Sequence, residues 1–161
     1  MPLLRQDDGE IHYGERMRSM RQLDAKMRVL MAIYAEYQKD VPDMANVNVR
    51  ALRMDWDAFR AAVLKLENEV LIRGLVTKPP ERTQIGDVEE IDMRGVMPTV
   101  SGLSAVERFV ETGQTDTAEA RLERLKRAAG DAGELEISRY VEDVMIDVKR
   151  AARIRSMRGF E

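Results

Sequence analysis

The order of helix, turn and strand signals between Met27 and Phe109 constrains this chain more than any single residue does. An amphipathic helical stretch (MRVLMAIYAEYQ) runs into a turn rich in Pro and Asn (VPDMANVNV). A short helix over Arg50 to Met54 and a longer one (DWDAFRAAVLKLENEV) follow. Next comes a segment with strand-like ends and a tip rich in Pro and charge (LIRGLVTKPPERTQIGDVEEIDMRGV), then a capped helix (TVSGLSAVERFV). Helix, turn, short helix, helix, two-strand ribbon and helix is the order of a winged helix-turn-helix. The fold expected is therefore mainly α with a small β element (α+β).

Spacing refines the elements. Met20, Leu23, Met27, Leu30, Tyr34 and Tyr37 alternate three and four apart, which predicts one helix from Glu15 to about Lys39. Pro42 ends it, and Val47 and Val49 fit a short strand before the next helix. Asp55 is the expected N-cap of the third helix, whose Phe59, Val63, Leu66 and Val70 share one face until Gly74 stops it. The ribbon is expected over Leu75–Val76 and roughly Val88–Val96. Thr99 or Ser101 would cap the next helix, with Leu103, Val106, Phe109 and Val110 inward.

After Gly113 the signals are those of two further helices. Asp116 is the expected cap of the first, and the turn GDAG leads to the second, where Ile137, Val141, Val144, Val148 and Ala151 form a narrow apolar seam. The organisation expected is an N-terminal arm and helix extension (1–26), a winged-helix domain (27–112) and a C-terminal αα-hairpin (113–161). Because short amphipathic helices are marginal alone in water, Met20 and Leu23, with Val141, Val144 and Val148, are expected to bury against each other or in a homodimer interface.

Composition excludes several functional classes. With no cysteine there is no disulfide, thiolate metal site or catalytic thiol. No apolar run approaches the roughly 18 residues of a membrane span, and MPLLRQDDGE lacks the apolar core of a signal peptide, so a cytoplasmic location is expected. The net charge of −3 argues against a surface uniformly built for polyanions, yet the charge is uneven. Arg16, Arg18, Arg21, Lys26 and Arg28 lie near one end, and Lys149, Arg150, Arg153, Arg155 and Arg158 near the other.

The segments MRVLMAIYAEYQKDVPDM, FRAAVLKLENEVLIRGLV and MPTVSGLSAVERF resemble the YjcQ-like winged-helix proteins of Gram-positive bacteria and their phages. The positions that carry the likeness are Leu66, Leu71, Ile72, Gly74, Thr99 and Gly102, over about half of the chain, from Met27 to about Val110. The resemblance implies a winged helix of DNA-binding role, phage or prophage encoded, with no catalytic residue to carry over. The third helix departs from an easy version of that role. Between Asp55 and Arg73, three basic residues (Arg60, Lys65, Arg73) face four acidic ones (Asp55, Asp57, Glu67, Glu69). Affinity for a duplex comes chiefly from neutralising phosphates.

No catalytic or metal constellation emerges. Asp87, Glu89, Glu90 and Asp92 cluster, but strand alternation sends Glu90 and Asp92 to one face and Asp87 and Glu89 to the other, which reads as a solvated, charge-protected edge. His12 is the only histidine and has no triad partner nearby, Ser101 is not in a nucleophile elbow, and no phosphate loop is present. Trp56 is expected to pack on the first helix. The chain is therefore read as non-enzymatic, with no cofactor and no metal. Its DNA-binding candidates are Arg60, Lys65 and Asn68 on the third helix and Lys78 and Arg82 at the ribbon tip. The expected partner is duplex DNA, bound by a dimeric transcriptional regulator. The competing reading is a protein-interaction or assembly module that uses the winged helix as a scaffold.

Overall fold

The computed structural model describes residues 23–78, 90–112 and 116–158, and over these the chain is mainly helical with two short antiparallel strand pairs. Its elements are α1 (Ala25–Tyr37), a single 3₁₀ turn (Met44–Asn46), α2 (Val49–Leu52), α3 (Trp56–Asn68), β1 (Ile72–Arg73), β2 (Val76–Lys78), β3 (Glu90–Asp92), β4 (Met97–Pro98), α4 (Val100–Val110), α5 (Ala118–Asp131) and α6 (Leu135–Met157).

α1 is the central helix. Every residue from Val29 to Glu36 is buried, because VLMAIYA is apolar all round and a helix without a polar face finds stability only when covered on all sides. α3, α4, α5 and α6 supply that cover. The helix does not run back to Glu15 as its periodicity predicts. Asp24 is extended (φ −66°, ψ 163°) and its carboxylate accepts from the Met27 N–H at 2.8 Å, so an N-cap fixes the start at Ala25. Met20 lies outside the described residues. Leu23 is half-buried against the core and its N–H donates to Glu134 Oε1 at 3.2 Å, so this end of the seam rests beside the turn that begins α6.

The strand expected at Val47 and Val49 does not form. Asn48 Oδ1 accepts from the Ala51 N–H at 2.9 Å and starts α2 instead, a local bond that competes with strand pairing. In α3, Asp55 caps the Ala58 N–H as expected, and Phe59, Ala62, Val63 and Leu66 are buried. The helix stops at Asn68, before Gly74. Val70 sits in the left-handed region at φ 58°, with its N–H bonded to the Glu67 carbonyl and the Leu71 N–H to the Leu66 carbonyl, a Schellman stop with valine where glycine usually stands. That conformation swings the Val70 side chain off the helix face and leaves it 65% exposed, so it is not a core residue. Phe109, also expected in the core, is 40% exposed because Val106 and Val110 take the inward face of α4.

Thr99 explains how α3 is stopped without glycine. Its hydroxyl donates to the Val70 carbonyl at 2.7 Å, its N–H donates to the Leu71 carbonyl at 3.0 Å, and its Oγ1 accepts from the Gly102 N–H at 3.1 Å as the N-cap of α4. Gly102 brings α4 onto the same turn: a Cβ there would lie 2.1 Å from the Leu71 oxygen. The ribbon then comes in two pieces, β1 paired with β4 (Ile72 opposite Pro98) and β2 with β3 (Thr77 opposite Ile91), so pairing begins earlier than Leu75 and is interrupted. At the interruption Gly74 (φ 84°) passes so close to Gly95 that a side chain would meet its carbonyl at 2.0 Å.

The last two helices form the expected antiparallel pair. Thr117, rather than Asp116, caps α5, since the Asp116 carboxylate is engaged by the Thr112 hydroxyl at 2.6 Å and by Arg124 at 3.4 Å. The seam of α6 is filled inside the chain: Ile137, Val141 and Val144 are buried with Tyr140 and Met145, and Val148 is half-buried against the same core. Val141 and Val144 are thus not surface side chains that a second copy reaches, because α1 and α5 already cover them. Beyond Val148 the helix projects with Ile154 and Met157 exposed. Among the described residues, no helix is long and apolar enough to cross a membrane.

Candidate nucleic-acid face and a polar cleft at the last helix

α3 packs through one face on α1 and β1, leaving Asp57, Ala61, Lys65 and Asn68 exposed at helical spacing on the other. Lys65 and Asn68 therefore share an open face. Arg60 is half-buried at its margin, beside the half-buried Leu64, and is already engaged in an interaction. The acidic excess seen in the sequence is reduced by the fold. Asp55 is used in the cap, and Glu69 is bound through both oxygens by Lys26 of α1, at 2.8 and 2.9 Å. That bond is the main reason the Lys26 ammonium is held above its usual range. Asp57 and Glu67 remain as the exposed carboxylates within α3.

Lys78 is exposed at the end of β2, with Glu90 opposite it in register. The same ribbon carries Asp92, whose carboxylate is bound by the Arg94 side chain at 2.8 and 3.0 Å and by the Arg94 N–H at 3.0 Å. These bonds, with Lys78 nearby, hold Asp92 well below the usual carboxylate range. Arg82 lies outside the described residues, as do Asp87 and Glu89. Trp56 is half-buried at the start of α3, its ring stacked on Phe59 with centroids 6.2 Å apart.

A second feature was not anticipated. Between α6 and the turn and short helix that precede α3 lies a cleft of about 460 Å³. Its wall includes Lys39, Asn46, Arg50, Arg139, Tyr140 and Asp143. Just behind it is Glu36, a fully buried carboxylate in the middle of the apolar α1. Glu36 Oε1 accepts from Asn46 Nδ2 at 2.7 Å and Lys39 Nζ at 3.0 Å, whereas Oε2 has no partner among the described residues. Lys39 also pairs with Asp147 at 3.2 Å. Burial by itself would lower the Lys39 pKa, but the bonds to Glu36 and Asp147 outweigh it and raise it. The Tyr140 hydroxyl is likewise buried without a partner, and burial together with Glu36, Asp43, Asp143 and Asp147 pushes its phenol far up. The sequence did carry a signal for this site: a lone Glu inside a segment apolar on every side needs polar company from elsewhere in the fold.

Among the described residues, no group of carboxylate or imidazole side chains is arranged to hold a metal ion. Comparisons with protein-family models, with curated proteins and with solved structures give no match to this chain.

Proposed function

We propose that residues 27–112 are a winged-helix module and that the protein binds duplex DNA without catalysing a reaction. The observation that carries this reading is the open face of α3, which presents Lys65 and Asn68 with Arg60 at its margin, while two of the neighbouring carboxylates, Asp55 and Glu69, are occupied within the protein. In such a module α3 enters the major groove and the ribbon, with Lys78 and Arg82, meets the backbone or minor groove. A homodimer, as a phage-type transcriptional regulator would use, is part of the proposal, and sedimentation tests it. Gel-shift titration at several salt concentrations tests DNA binding. Replacing Lys65 and Lys78 by Ala should weaken binding to any duplex and reduce the salt slope by about 0.9 per lost phosphate contact. Arg60→Ala should cost about 1 to 3 kcal/mol on a preferred site and blur its sequence preference. Absence of any shift at low salt with micromolar protein would overturn the reading.

One observation favours the alternative of a protein-docking module. An apolar groove of about 360 Å³ runs between Val41 and the projecting part of α6, lined by Val148, Ala151 and Ile154. Val41 is 84% exposed there, and Asp40 is tied to Arg155 at 2.6 Å across the rim. Retained DNA binding after Ile154→Asp would separate this surface from the α3 face.

A further inference from the structure

A buried hydroxyl without a partner on the wall of the cleft, and a carboxylate oxygen without one just behind it, are the least expected feature of the structure. Buried oxygens are almost always hydrogen-bonded, and an unmade bond is costly. Yet the Tyr140 hydroxyl, on a residue only 8% exposed that lines the cleft, and Oε2 of the fully buried Glu36 both lack a partner among the described residues. They do not bond one another. The cleft volume, about 460 Å³, is within the range of small-molecule sites.

Both signs of charge line the cleft. Tyr140 and Lys39 are on its wall, with Glu36 buried behind them, and the Lys39 ammonium is already shared between Glu36 and Asp147. Asp143 lines the same wall with no ion pair among the described residues, and Asp43 adds to the negative field felt by the Tyr140 hydroxyl. A donor-rich cation fits there, since an ammonium offers three N–H groups and the unpartnered atoms present acceptor lone pairs. Two arginines line the cleft as well. Arg50 and Arg139 are exposed, and their guanidinium groups have no hydrogen bond or ion pair among the described residues, whereas that of Arg53 is engaged by Glu136 at 3.4 Å. A guanidinium takes a carboxylate through paired N–H bonds.

We propose that the cleft between α6 and the turn leading into α2 binds a small zwitterion of the amino-acid type. Its ammonium lies at Tyr140, with Asp143 on the same wall and the buried Glu36 carboxylate behind, and its carboxylate at Arg50 and Arg139. The site stands apart from the open face of α3, so it is independent of whether DNA is the macromolecular partner. No chemistry is done on the ligand; it is held by charge-assisted hydrogen bonds.

Calorimetric titration of the full chain with three matched series tests this: free leucine, glutamine and lysine, their carboxamides, and their N-acetyl derivatives. At least one free amino acid should bind, its carboxamide about tenfold more weakly, since one charge-assisted contact is lost, and its N-acetyl form not measurably. Arg139→Ala, an exposed site whose replacement leaves the core untouched, should weaken the zwitterion and leave the carboxamide unchanged. Tyr140→Phe, which removes only the hydroxyl, should weaken both. The proposal is overturned if no series binds at millimolar concentration, or if the N-acetyl form binds as well as its parent. It is also overturned if Tyr140→Phe raises the melting temperature with binding unaltered, because the cleft would then hold only a poorly solvated phenol.

Discussion

Two helical glycines should respond to the same substitution with opposite signs. In both Gly102 and Gly130 a change to Ala removes the entropic penalty of glycine in a helix, a gain of up to about 1 kcal/mol. At Gly130 of α5 that gain stands nearly alone, because a Cβ there meets nothing nearer than Ser138 Oγ at 4.0 Å. At Gly102 the Cβ falls 2.1 Å from the Leu71 oxygen and 3.1 Å from its carbon, backbone atoms that cannot rotate away. To bring the contact even to 3.0 Å, α4 has to retreat from the turn after α3. That retreat strains the Thr99 bonds to the Val70 and Leu71 carbonyls. Overpacking of this kind costs about 1 to 3 kcal/mol, and two weakened hydrogen bonds add about 1 kcal/mol each at most. Set against the propensity gain, the net loss centres on about 2.5 kcal/mol, or a fall of about 5 to 10 °C in melting temperature for a chain of this size. Thermal melts by circular dichroism of Gly102→Ala and Gly130→Ala decide the matter. A Gly102→Ala protein as stable as the wild type would refute the assigned contact between α4 and the α3 stop.

Leu66, fully buried between α3 and the core, should lose about 2 to 5 kcal/mol on replacement by Ala, read from denaturant melts; an unchanged midpoint would exclude it from the core. Val70→Gly relieves a left-handed β-branched residue that is mostly exposed, and should leave stability unchanged or raise it by about 1 kcal/mol, whereas Val70→Pro, which cannot adopt a positive φ, should unfold the stop. Burial, then the nearby Glu107 carboxylate, pushes the Tyr34 phenol from 10.0 up to about 12. A folded pKa above the unfolded one contributes stability that is fully present below pH 10 and lost as pH rises through about 12. Ultraviolet titration should therefore show a late phenol ionisation that accompanies alkaline unfolding and is lost in Tyr34→Phe.

The helices were legible because their determinants are local. Asp55 and Thr99 cap where their side chains can reach the third residue onward, and Leu30, Ile33, Phe59, Val63, Leu66 and Val106 repeat at the period that buries one face. What was misread depended on distant partners. The end of α3 was placed at Gly74, the first residue with an obvious reason to stop a helix, whereas the stop is imposed at Val70 by Thr99, 29 residues away. The partner of the α6 seam is not legible in its own sequence, because nothing there shows that α1 lacks a polar face to exclude it. Of the candidate DNA contacts, the sequence identified Lys65 and Asn68 as helix residues and the structure puts them on one exposed face, but the occupation of Glu69 by Lys26 crosses 43 residues and had no local signature. The polar cleft was missed for the same reason: Glu36, Asn46 and Tyr140 come from three separated segments.

The valine at the end of α3 carries a consequence for how the chain folds. A glycine stop works in an isolated peptide, since it acts through its own backbone freedom. Nothing between Asn68 and Arg73 has that property, and the carbonyls of Val70 and Leu71 are turned outward to meet Thr99. A fragment spanning 55–74 has no internal reason to end its helix at Asn68 and should stay helical toward Gly74, whereas in the whole chain α4 brings Thr99 to claim those carbonyls. Commitment of β1 to its partner is thereby tied to the docking of α4, and the third helix reaches its final length only once the ribbon between them has closed.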